Sequence, residues 1–205
     1  MQRTALGLVV IGSILTGLAG CRSEAAAAAG PEASRWSYVP DLPVSAPPFE
    51  RMEVSYKERL DQPYVFVEVR GSYTDTGRNL PELDRRMRAA GVVASGPPFG
   101  LFYDDPGRTP LAELRSRACL PVDGAPPAAA GLAYDVLAPA TVVYAVVSGP
   151  YPGVPRAYPG LLAYAERMGW VENGPVREIY LVSPDAVASY AELLCEIQVP
   201  VTQRP

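Results

Sequence analysis

The chain is written twice, and this constrains its fold more than any other feature. Gly71 and Gly149, Tyr73 and Tyr151, Arg78 and Arg156, Pro81 and Pro159, and Leu83 and Leu161 are each 78 positions apart. The offset continues through Gly91 and Gly169, Val93 and Val171, Gly96 and Gly174, Pro97 and Pro175, and Pro106 and Pro184. After a one-residue shift, Pro121 meets Pro200. One offset held across so many glycines and prolines marks an internal duplication. Whatever the first copy folds into, the second must fold into as well.

Each copy has a legible outline. Arg51 to Lys57 and Ala133 to Leu137 alternate as strands do. Tyr64–Arg70 and Thr141–Ser148 follow, rich in valine and aromatics, and each ends at a glycine turn. Leu80, Leu83, Met87 and Ala90 then fall at helical spacing, repeated by Tyr158, Leu161, Ala165 and Met168. Pro81 and Pro159 suit a first helical turn, and Gly91 and Gly169 suit the residue past the last one. Phe99–Tyr103 with Arg177–Val182, and Leu114–Leu120 with Leu193–Val199, close the two copies as strands. The expected fold class is α+β: duplicated strand-strand-helix-strand-strand units, of a kind that commonly face each other about a pseudo-twofold and leave a cleft between them. The repeats run over about 51–122 and 132–201.

The first twenty residues have the layout of an export signal: Arg3, then an uncharged run from Thr4 to Gly20. It ends in Leu18-Ala19-Gly20-Cys21, which resembles a bacterial lipobox and makes Cys21 the expected lipidation site. A lipidated cysteine would hold a soluble domain on the outer side of a bacterial membrane. Residues 21–48, with five consecutive alanines and scattered prolines, read as a flexible tether. Residues 49–205 remain as one domain.

Composition removes several chemistries. Histidine is absent, which excludes a Ser-His-Asp triad, His-ligated zinc and imidazole-ligated haem. Cys119 and Cys195 are too few for a thiolate metal cage, and they sit at non-matching places in the two copies. In an oxidising compartment they could pair. Without the signal, 17 basic residues face 22 acidic ones, with no basic patch, so no nucleic acid is expected as a partner. No cofactor and no metal is called for. Asp104-Asp105 before Pro106 reads as a turn, since its duplicate is Val182-Ser183.

The segments "VRGSYTDTG", "GPPFGLFYDDP", "YAVVSGPY", "GPVREIYLVSP" and "CEIQVPV" resemble, in order and spacing, the GyrI-like (gyrase-inhibitor-like) domain. That domain is also the effector-binding module of AraC- and MerR-type multidrug regulators. The resemblance runs from about Arg51 to Val201. It implies two units enclosing a ligand cleft, with a glutamate on the penultimate strand of the second unit that meets lipophilic cations. The matching position is Glu178, whose duplicate is Gly100.

Alternation on a strand sets Glu178 on one side with Tyr180 and Val182, while Arg177, Ile179 and Leu181 point the other way. A desolvated carboxylate there would favour an arriving cation, and aromatic walls would add contact area. Twelve tyrosines against four phenylalanines supply such walls. The wall candidates are Tyr180 and its duplicate Phe102, the matched pair Phe66 and Tyr144, Tyr158 opening the second helix, and Trp170 beyond its end. For each of these, ordinary core packing is the competing and simpler role. Glu196 is read as structural.

Two functions follow. One is a membrane-anchored module that senses or sequesters lipophilic, cationic small molecules. The other is a hydrolase of reactive, cyclopropanoid-type small molecules, with Glu178 and Tyr180 positioning or activating water in the same cleft. A protein partner is left open.

Overall fold

A computed structural model describes residues 38–204. The expected export segment, the expected lipidation site Cys21 and residues 21–37 of the expected tether lie outside the described residues. No helix among the described residues is long and apolar enough to cross a membrane.

The first unit contains β1 (Ser55–Arg59), β2 (Gln62–Arg70), α1 (Leu80–Ala89), β3 (Phe99–Phe102) and β4 (Arg115–Pro121). The second contains β5 (Ala133–Leu137), β6 (Ala140–Ser148), α2 (Tyr158–Arg167), β7 (Trp170–Glu172), β8 (Val176–Tyr180) and β9 (Leu194–Gln203). β1, β2 and α1 recur in β5, β6 and α2 at the 78-residue offset, so the duplication in sequence is a duplication in structure. Pro81 and Pro159 occupy first-turn positions of the helices. Gly91 and Gly169 follow the helices at φ +70° and +71°, a region that a side chain makes costly.

The main sheet is antiparallel, in the order β1-β6-β9-β8-β3-β4-β2-β5. Exchanging each strand for its duplicate reverses this order and leaves it unchanged. Each unit lends its first strand to the other, β1 pairing with β6 and β5 with β2. The halves join where β3 meets β8, and there Gly100 lies opposite Glu178. These two residues are duplicates of one another, so the pseudo-twofold axis passes between them.

Both helices cover one face of the sheet. Leu83 and Met87 of α1 pack with Val65, Leu120 and Val122. Leu161 and Ala165 of α2 pack with Val143, Ala145, Val147, Cys195, Ile197 and Val199. The other face has its own core of Tyr64, Phe99, Leu101, Cys119, Val146, Ile179 and Leu181.

The structure departs from the expectations at four places. β1 starts at Ser55 rather than Arg51, because Phe49, Met52 and Val54 turn into the α2 cluster instead of joining the ladder. β7 is an additional strand, which pairs with the end of β9. Residues 38–48, expected within the tether, are docked: Ser45 bridges to Val147, and Asp41 accepts from Tyr144. Cys119 and Cys195 are free and buried, and they belong to opposite faces of the sheet, which rules out pairing.

Candidate functional site

Glu178 is placed by β8 on the helix-covered face, next to the axis, and is only 4% exposed. Its neighbours on that face come from three elements. Tyr158, the first residue of α2, donates its hydroxyl to Glu178 Oε1 at 2.7 Å. Tyr180, two residues along β8, donates to Oε2 at 3.2 Å. Phe102 lies across the axis, as the duplicate of Tyr180, with its ring 4.9 Å from that of Tyr73. The matching contact in the second unit is Tyr151 against Tyr180, at 4.7 Å.

No basic side chain is hydrogen-bonded to or ion-paired with this carboxyl group among the described residues; its two partners are neutral hydroxyls. Burial therefore dominates and pushes its pKa from the ordinary 4.5 up to about 7, against the downward pull of the two tyrosines. Both tyrosines are held well above their usual range, chiefly by burial, so they remain donors. An acid so placed is poised between its neutral and charged forms near neutrality.

Gly100 leaves the room that this arrangement needs. A Cβ at Gly100 would stand 2.8 Å from two ring carbons of Phe102 and 3.0 Å from the Tyr180 hydroxyl. The shell is symmetric in its backbone and in the Tyr73–Phe102 and Tyr151–Tyr180 ring pairs, but the axis itself holds one side chain.

Of the residues singled out in the sequence, Glu178, Tyr158, Tyr180 and Phe102 are brought together. Phe66 and Tyr144 are not. Phe66 pairs with Cys119, and Tyr144 with Gln198, on the helix-free face, so neither can wall a pocket with Glu178. Trp170 begins β7 and packs edge-on against Tyr56, at 5.2 Å. Tyr73 and Tyr151 act as clamps: the first hydroxyl bonds both backbone groups of Asp104, and the second both those of Val182. Asp104 is tied to Arg115, and Asp105 accepts from the Gly107 amide within the turn. Gly100, singled out in the sequence only as the duplicate of Glu178, proves to face it across the axis and to leave space for it.

Replacing Tyr158 by Phe removes the shorter of the two bonds to Glu178. The expected result is a carboxyl that titrates higher than in the wild-type protein, read by carbon NMR of the glutamate carboxyl. The loss of stability at neutral pH should be about 1 kcal/mol.

The fold defines a class: a duplicated α+β domain with both helices on one face of a single antiparallel sheet. The chain belongs to the GyrI-like family, matching its GyrI-like small molecule binding domain over residues 52–202. Among solved structures, the crystal structure of the EcmrR C-terminal domain is similar at a TM-score of 0.65 and 19% identity, covering 75% of this chain and 99% of that one. A cryo-EM structure of an EcmrR–DNA complex matches at 0.63 and 19%, over 74% of this chain and 58% of that one, so this chain spans less than two thirds of that protein. A hydrolase from Listeria innocua matches at 0.53 and 12%, over 74% and 93%. At these identities the likeness is one of fold. No curated protein matches the sequence.

Proposed function

We propose that this protein captures lipophilic, cationic small molecules at Glu178, and does so on the outer side of a bacterial membrane, held there by a lipid on Cys21. The observation that carries the reading is a carboxyl group 4% exposed, bonded by two tyrosine hydroxyls and by no basic side chain. A cation that displaces Tyr158 would find a desolvated acid at one end and the Tyr180, Tyr151, Phe102 and Tyr73 rings around it. Sensing and sequestration both follow from such capture.

Binding of a lipophilic cationic dye to the wild-type protein should exceed binding to the Glu178→Gln variant by at least about tenfold. Affinity for the wild type should also fall as the pH drops below about 7, where the cation must expel a proton. Equal affinities for the two proteins would remove Glu178 from the account. The hydrolase reading draws on the contact between Tyr180 and Glu178. Turnover of a reactive electrophile by the wild type, lost in Glu178→Gln, would favour it over capture.

A further inference from the structure

We infer that the helix-free face carries a second binding site, for small organic acids with an apolar body, built on Arg177. Arg177 precedes Glu178 in β8, so strand alternation sends it to the face opposite the acid. It is 5% exposed, and its Nε is buried without a hydrogen-bond partner. The guanidinium lies 4.1 Å over the Phe99 ring, which is contact but not neutralisation.

The acids of this face are already engaged. Glu196 takes Lys57 Nζ at 2.9 Å, the Tyr38 hydroxyl at 2.7 Å and the Gln198 amide at 2.7 Å. Asp135 and Glu68 both hold Arg117, at 2.8 and 3.2 Å. Among the described residues none ion-pairs with Arg177. The nearby Arg59 worsens the imbalance: it spends one nitrogen on the Ala138 carbonyl, while its Nε and Nη1 are buried and unpartnered. Burial first, and then the Arg59 charge, push Arg177 down to about 10 against a smaller upward pull from Cys119 and Glu196, so it remains a cation at neutral pH. A buried guanidinium without an ion-pair partner is costly, and a second beside it more so.

Arg177 opens onto a pocket of about 280 Å³, walled by Pro97, Ile179 and Leu181 with Tyr38, Gln62 and Glu196. These walls select the ligand. A guanidinium fork suits a carboxylate, which it can bind through two parallel bonds. The proline and aliphatic walls suit an apolar body, and the volume keeps that body small. Glu196, on the wall, disfavours a second negative charge, so the ligand is a monoacid.

The test titrates the full-length chain by calorimetry with benzoate and hexanoate, and with their neutral amides, benzamide and hexanamide. The acids should bind at least about tenfold tighter than the amides. The Arg177→Met variant should lose that preference while melting no lower than the unliganded wild type, because it removes an unpaired charge. Glu178→Gln should keep the preference, so loss of cation capture at Glu178 and loss of acid binding here are separate outcomes. Acids that bind the wild type no better than amides would overturn the inference, whether or not Arg177→Met folds. So would an Arg177→Met protein that keeps the preference.

Discussion

Thermal unfolding of the Glu178→Gln variant is expected to lose a pH dependence that the wild-type protein shows between about pH 5 and about pH 8. Burial raises the folded-state pKa of Glu178 to about 7, above the ordinary 4.5 of the unfolded chain. Below the lower value the group is neutral in both states, and its contribution to stability is fully present. As the pH rises, the unfolded chain releases the proton first, and folding must take one up again, so stability falls. Above about 7 the folded carboxyl ionises too, and the loss levels off. The whole change is on the order of 3 kcal/mol. Asp104 and Asp135, held low first by Arg115 and Arg117 respectively, act with the opposite sign and in a more acidic window, so they do not obscure it. Melting curves across that range for the wild type and Glu178→Gln measure the difference. Parallel pH profiles would show that Glu178 is already ionised in the folded protein, and the poised-acid account would end there.

Gly100→Ala should destabilise the protein by about 1–3 kcal/mol, a large effect for one methyl group. The added Cβ meets ring carbons of Phe102 at 2.8 Å, and that ring is braced by Tyr73, so it has little freedom to withdraw. The methyl also crowds the Tyr180 hydroxyl, which should loosen its bond to Glu178 and raise the carboxyl's pKa further. Gly124→Ala is the control, since a Cβ there meets nothing within 4 Å. Chemical denaturation of the two variants separates crowding at the axis from the general effect of glycine replacement. Equal stabilities would mean that the axis tolerates two side chains.

Much of the architecture was legible in local pattern. Pro81 and Pro159 mark helix starts, Gly91 and Gly169 mark helix ends, and the valine-rich runs became β2 and β6. The Glu178 site was half legible. Tyr180 and Phe102 follow from alternation within a strand and from the repeat, and Tyr158 from its place at the start of α2. Phe66 and Tyr144 went astray because their strands neighbour neither β3 nor β8: β4 and β9 lie between. Which face they present relative to Glu178 depends on two successive registers, and a one-residue slip in either flips the answer.

The amino-acid sequence by itself determined that there are two like units, what elements each contains, and that Arg177 and Glu178 point to opposite sides of one strand. Those are short-range properties, set by backbone sterics and side-chain period. Only the tertiary structure decided that the pair Gly100 and Glu178 falls on the symmetry axis, that Tyr158 bonds the acid, and that Tyr38 and Lys57 engage Glu196. Such outcomes depend on strand register and on which distant groups exclude solvent, and no local pattern in the chain encodes either.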